Sequence, residues 1–189
     1  MKEGCIPEDW KSSVVLPLYK GKGDPMECGS YRGIKLLEHA MKVAERIFED
    51  RIRQQIDIDD MQLGFMIGKG TTDAIFIVRQ MQKFRAKGKK LYFRFVDLEK
   101  AFDRVLREVI RWAMHKLGVE ESLVSAVMSK HTGAKIVVRT VYGNSNGFEV
   151  KVGMHQGSAL SPLLFVMVME AVSREFRVAL PWELLYADD

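Results

Sequence analysis

The sequence predicts an α+β fold, a mixed sheet covered by helices. Three observations predict it. Apolar strand-like runs and amphipathic helical stretches interleave without the regular strand–helix–strand spacing of a doubly wound parallel sheet. A turn rich in Gly and Asn, residues 143–147, separates two alternating runs, as in an antiparallel hairpin. The 189 residues are 47% hydrophobic, enough to pack one domain or two small ones.

Residues 13–19 read as a short strand, moved toward a sheet edge by Pro17. Residues 20–30, rich in Gly, Lys and Asp, read as a loop. From 36 to 55, apolar residues at 36, 37, 40, 41, 43, 44, 47, 48 and 52 have helical spacing. Thr71-Thr72-Asp73 can cap a helix that runs to about Lys87, with Gly88 as its stop. Residues 90–98 cluster Leu, Tyr, Phe and Val and read as a buried strand. Asp103 can cap a helix over 104–117, ended by Gly118, and a second helix covers 120–130. Residues 134–142 and 148–152 alternate and form the hairpin arms. Ser161-Pro162 opens a helix that runs to about Arg177, and 183–186 reads as a strand ending at Asp188-Asp189.

Composition excludes several classes. Cys5 and Cys28 are isolated and the four histidines are scattered, so zinc ribbons and disulfide scaffolds are ruled out and a reducing, intracellular compartment is expected. The longest apolar run, Leu163 to Met169, has seven residues, far short of the roughly 18 of a membrane span. The net charge is +4, but Arg79, Lys83, Arg85, Lys87, Lys89, Lys90 and Arg94 form a run without an acid, which suits a polyanion or a solvated helix end. The last residues, an apolar run followed by two acids with no closing element, read as the cut end of a fragment.

Two strand-like runs deliver acids at their carboxyl ends: Asp97 after Tyr92-Phe93-Arg94-Phe95-Val96, and Asp188-Asp189 after Leu184-Leu185-Tyr186-Ala187. Taken singly, Asp97 and Asp103 are caps and Asp188 and Asp189 turn residues. Taken together they could hold carboxylates close, a costly arrangement unless cations bind between them. Hard oxygen donors suit Mg²⁺, and a pair of such ions would clamp an in-line phosphoryl displacement.

Longer strings sharpen this. Phe95-Val96-Asp97-Leu98-Glu99-Lys100-Ala101-Phe102-Asp103, His155-Gln156-Gly157-Ser158-Ala159-Leu160-Ser161-Pro162-Leu163 and Tyr186-Ala187-Asp188-Asp189 occur in that order. Upstream lie Pro17-Leu18-Tyr19-Lys20-Gly21-Lys22-Gly23-Asp24, Tyr31-Arg32-Gly33-Ile34, and Gln62-Leu63-Gly64-Phe65 with Gly68-Lys69-Gly70-Thr71-Thr72-Asp73-Ala74. The ordered set resembles the reverse transcriptases of non-LTR (LINE-like) retrotransposons, over nearly the whole chain.

The resemblance implies a right-hand polymerase. Residues 1–90 would be a fingers-like region and 91–189 an incomplete palm, truncated before the thumb. It implies an RNA-directed DNA polymerase, a nucleotidyltransferase that uses an RNA template, a DNA primer and dNTPs, in the nucleus or cytoplasm and without a membrane. Two Mg²⁺ ions, with Mn²⁺ as a substitute, would be held by Asp97, the Leu98 carbonyl and Asp188, with Asp189 supporting the pair. Phe102 would be the steric gate against a 2′-hydroxyl. Arg32 would grip the triphosphate with Lys20 or Lys22, Lys20 being favoured. Gln156 and Gly157 would lie along the incoming nucleotide, and Lys69, Thr71 and Thr72 along template phosphates. Lys35, Met66 and Leu106 depart from the family pattern, where a small hydroxyl residue, a basic residue and Pro are usual. By the resemblance, the lack of a thumb and primer grip would leave this chain inactive on its own; the alternative is a non-catalytic nucleic-acid-binding remnant, and a metal-dependent phosphotransferase or nuclease is disfavoured by the Phe102 and Gln156-Gly157 matches.

Overall fold

The computed structural model describes residues 6–88, 90, 92, 94–154, 157–175 and 184–187. After a single helical turn, Glu8–Lys11 (α1), the chain enters Ser13–Tyr19 (β1), turns through residues 20–30 and returns antiparallel as Tyr31–Leu37 (β2). Three more strands, Lys135–Thr140 (β3), Gly143–Asn144 (β4) and Phe148–Glu149 (β5), complete a mixed sheet. Its path runs β2-β1-β3-β4, with β5 antiparallel to β3. β1 runs parallel to β3, but only through Ser13–Val15. Pro17 lies beyond that register, where β1 has β2 alone as a neighbour, so its missing N–H breaks no second ladder.

β2 was not expected, and its inward face explains why. Lys35 and Leu37 are buried, while Ile34 and Leu36 stay about 40% exposed (41% and 42%), inverting the usual alternation. The helix expected from residue 36 begins instead at His39–Arg53 (α2), with Met41, Ala44, Phe48 and Ile52 on its buried face. Thr71–Ala86 (α3) follows. Its cap is neither threonine: the Asp73 carboxylate reaches back to accept the Gly70 N–H at 2.8 Å, half of a capping box. Gly88, at φ 76°, ends the helix region as expected.

The buried strand expected over 90–98 is not formed among the described residues. Tyr92 and Phe95 are each 85% exposed, and Asp97 and Leu98 also face solvent. An apolar alternating run becomes a strand only beside a partner, and no described strand lies there. The single helix expected over 104–117 is two, Ala101–Arg104 (α4) and Arg107–Lys116 (α5). The break follows from hydrogen bonding: the Phe102 and Val105 carbonyls accept the N–H groups of Met154 and Gly153 (2.8 and 2.9 Å) instead of continuing the helix. Asp103 therefore lies inside α4, whose cap position is Lys100 in the left-handed conformation. The expected terminal strand reduces to one parallel bridge, Leu185 with Gln62.

Glu121–His131 (α6) and Ser161–Ser173 (α7) complete the helices. Leu163 through Val168 of α7 are all buried, so this helix is apolar on every side and runs through the centre of the helical layer. α5 packs on both α6 and α7, and α2 on α6. Ile110, Met114, Val127, Leu164 and Phe165 sit at the middle of that core.

Candidate active site

The sheet and the helical layer meet at a cavity of about 280 Å³. Gly33 and Lys35 of β2, Val15 of β1, Ile136 of β3, Asp103, and residues Val150, Val152, Gly153 and Met154 line it. Arg32 and Phe102 are the chain neighbours of two of these residues, and 153–154 lead directly into 155–157. The backbone segments carrying Arg32 and Phe102 thus meet around one space, although strand alternation sends the Arg32 side chain to the face of β2 opposite Gly33 and Lys35.

Phe102 is half-buried in α4. Its ring stacks on Phe165 of α7, with centroids 4.4 Å apart and planes 16° from parallel. It meets Phe65 edge-on at 6.0 Å. With its carbonyl held by the Met154 N–H, ring and backbone are both fixed.

Gly157 must be glycine: its φ is 94°, and a Cβ there would lie 2.9 Å from the Lys35 carbonyl oxygen. This contact seats the loop after residue 156 against β2.

Arg32 is exposed on β2 and has no polar partner among the described residues. Lys20 donates to the Gly29 carbonyl at 2.7 Å, closing the 20–30 loop, whereas Lys22 is exposed without such a bond among the described residues. Lys69 is held by Asp60, through its carbonyl (2.8 Å) and carboxylate (2.9 Å), and this ammonium keeps the Asp60 carboxyl below its usual range. Thr71 and Thr72 lie exposed in the first turn of α3. Asp97 is exposed and the Leu98 carbonyl accepts the Ala101 N–H at 3.3 Å. Gln156, Asp188 and Asp189 lie outside the described residues. No three His, Cys, Asp or Glu side chains gather as a metal site among the described residues.

A family model described as "Reverse transcriptase (RNA-dependent DNA polymerase)" matches residues 19–189. The chain belongs to the reverse transcriptase family. It is 29% identical, over 92% of its length, to the retrovirus-related Pol polyprotein of type-1 retrotransposable element R2 from Nasonia vitripennis, covering 17% of that protein. It is 32% identical, over 98% of its length, to a putative 115 kDa protein in type-1 retrotransposable element R1DM of Drosophila melanogaster, covering 18%. The RNA-directed DNA polymerase from mobile element jockey of the same fly is 26% identical over 86% of the chain. The chain thus spans less than a fifth of the length of these relatives (17%, 18% and 18%). Among solved structures, apo telomerase from Candida tropicalis, truncated from its C-terminal domain, shares the fold at a TM-score of 0.57 and 14% identity, over 91% of this chain and 40% of that one. No helix among the described residues is long and apolar enough to cross a membrane.

In this member of the reverse transcriptase family, the Gln62-Leu63-Gly64-Phe65 motif has a role that sequence reasoning did not assign. It docks the segment that leads to Asp188. The Leu63 N–H donates to the Leu185 carbonyl (2.8 Å) and the Leu185 N–H to the Met61 carbonyl (3.1 Å). Buried Gln62 accepts the Gly64 and Ala187 N–H groups on its side-chain oxygen, at 2.8 and 3.3 Å. A Cβ on Gly64 would lie 2.2 Å from the Ala187 nitrogen, a backbone atom that cannot step aside alone. Gly64→Ala is therefore expected to push residues 185–187 away and cost about 1–3 kcal/mol, the range for overpacking. Denaturant titration checks the cost, and an unchanged midpoint would contradict this docking.

A second group missed by sequence reasoning is a buried charge cluster behind Gly157. Glu45 of α2 pairs with Lys130 of α6; both are fully buried. Arg107 of α5 donates to the Val150 carbonyl and, at 2.6 Å, to that of His131. Burial, then Lys130, Arg107 and Lys35, hold the His131 imidazole well below its ordinary range, so it is neutral at physiological pH. Burial likewise pulls the Lys35 ammonium from an ordinary 10.5 to about 7, with Lys130 and Arg107 adding to the shift and Glu45 opposing it. Between those values the unfolded chain binds more protons at Lys35 than the folded one, so this group makes stability rise with pH. Relative to Lys35→Met, the wild-type melting temperature is expected to climb from pH 7 to pH 10; a gap that stays constant would contradict the burial of this charge.

Proposed function

We propose that the chain forms the fingers (residues 1–90) and most of the palm (91–189) of an RNA-directed DNA polymerase that adds dNTPs to a primer 3′-hydroxyl. The observation that supports this most is the shared cavity. Gly33 and Asp103, the neighbours of Arg32 and Phe102, line it together with Gly153 and Met154, which lead into His155-Gln156-Gly157. The cavity marks where the strand that carries Arg32, the turn that carries Phe102 and the segment that leads into Gly157 come together, with the Arg32 side chain on the outer face of β2, opposite Gly33 and Lys35.

Arg32 presents a planar fork of donors for triphosphate oxygens, joined by Lys20 or Lys22. Phe102, braced by Phe165, stands under the sugar and leaves no room for a 2′-hydroxyl. Gly157 lets the loop backbone approach the incoming base, and Gln156 bonds it without adding charge. Lys69, Thr71 and Thr72 touch template phosphates and fix its register without reading its sequence. The donor set of Asp97, the Leu98 carbonyl, Asp188 and Asp189 is all hard oxygen, which fits Mg²⁺ or Mn²⁺. Two such ions, when bound, supply acidification of the 3′-hydroxyl and neutralisation of the leaving phosphates.

Activity requires a longer polypeptide than these 189 residues. The run from Arg94 to Leu98 supports this, because it is exposed and belongs to no strand among the described residues, so that the carboxylate of Asp97 stands outside the sheet. Primer extension on poly(rA)·oligo(dT) with Mg²⁺ and dTTP tests the proposal. Extension is expected from a polypeptide that continues past Asp189 through a thumb, and little or none from the 189-residue chain. Salt-dependent filter binding without any extension by the longer protein would overturn the polymerase reading in favour of a nucleic-acid-binding remnant. Robust extension by the short chain would overturn the length requirement.

A further inference from the structure

The loop that follows Gln156 is held from behind by two buried charges of opposite sign. Glu45 lies on α2 and is 0% exposed; Lys130 lies on α6 and is 2% exposed. The Ala159 N–H donates to Glu45 Oε2 at 2.8 Å. The Lys130 ammonium, besides pairing with Glu45, donates to Ser158 Oγ at 3.1 Å. Ser158 Oγ in turn accepts the Ser161 N–H at 3.2 Å, at the mouth of α7. Helices from the two halves of the chain therefore meet on residues 158–161, one position after Gly157 rests on the β2 backbone.

Cohesion between α2 and α6 does not call for such a pair. Removing two charges from water is costly, and two apolar side chains of similar volume generally hold elements together as well or better. Apolar side chains cannot, however, bond the Ala159 N–H and the Ser158 hydroxyl. The distinctive effect of the pair falls on the loop.

We propose that Glu45 and Lys130 are positioning residues for nucleotide binding, fixing residues 158–160 and through them Gly157 against the incoming dNTP. The proposal rests on the polymerase reading above. Fixing a contact surface before the ligand arrives lowers the cost of binding, so the effect belongs in KM rather than in the chemical step.

The test compares Glu45→Leu/Lys130→Met, Ser158→Ala, Asp97→Asn and wild type in the longer, primer-extending polypeptide, reading thermal midpoint and steady-state kinetics. The double variant is expected to melt at or above the wild-type temperature, yet to raise the KM for dNTP about tenfold, with kcat within about threefold. A purely structural pair predicts recovery of KM along with stability, so a wild-type KM in the stable double variant would overturn the proposal. Should the double variant not fold, Ser158→Ala decides. It leaves the ion pair in place and removes its hold on the loop together with the acceptor of the Ser161 N–H, so it is expected to lower the thermal midpoint modestly and to raise KM with kcat little changed; an unchanged KM overturns the proposal. A wild-type protein that fails to extend primers sinks the polymerase reading instead. An active wild type, a dead Asp97→Asn and an unaltered KM in the variants sink this inference alone.

Discussion

Asp97→Asn is expected to reduce primer extension on the order of 10³-fold or more in a primer-extending polypeptide that contains this chain. The amide has nearly the carboxylate's shape but none of its charge, so it neither draws a divalent cation nor offsets one. Stability should hardly move, within about 0.5 kcal/mol, because the side chain is exposed and outside the core. Steady-state extension and a denaturation curve on the same preparation separate the two effects. Retained extension would disprove the role assigned to Asp97, whereas lost extension with a shifted unfolding curve would mean that the substitution acts on the fold.

Phe165→Ala is expected to cost about 3–5 kcal/mol. Phe165 is 1% exposed in the middle of α7, and its removal opens a void in the most densely apolar part of the molecule. The same ring is the stacking partner of Phe102. The variant should therefore also loosen discrimination between dNTPs and rNTPs, although residue 165 belongs to the core. Phe102→Val provides the comparison: it should admit rNTPs at a smaller stability cost, since Phe102 is only partly buried. Thermal denaturation and the ratio of rNTP to dNTP incorporation measure both. Unchanged sugar selectivity in Phe102→Val would reject the gate, and unchanged selectivity in Phe165→Ala would show that the gate does not depend on its brace.

Several elements were legible in the sequence for plain physical reasons. α7 opens at Ser161-Pro162 because proline suits a helix start, whereas the hairpin was legible only in outline: the chain turns at Val141–Tyr142, and Gly143–Asn144, expected inside the turn, pair with Arg139 and Thr140 as β4. β2 was hidden because its buried side carries a lysine and its open side two aliphatic residues. The α4–α5 break was hidden because it is made by N–H groups of residues 153–154, which no local pattern near 105 announces. The run at 90–98 has a strand's composition, but pairing is a property of the neighbour as much as of the run itself. Of the candidate site, the motif residues were legible as strings; their supports were not. Glu45 and Lys130 look like ordinary solvated helix charges, and only the packing of α2 on α6 places them in the interior. Gln62 and Gly64 were visible as a motif, but the Ala187 N–H bond to Gln62 and the close approach of Gly64 to Ala187 span more than 120 positions.

The parallel register of β1 with β3 has a consequence for biogenesis. Ser13 finds Ile136 as its neighbour, so the sheet cannot close until more than 120 residues have left the ribosome. Closing so long a loop is entropically costly, and topologies dominated by distant pairings form slowly. The first strand pair would meanwhile wait with one edge bare, a state in which nascent polypeptides depend on chaperones to avoid sticking to one another.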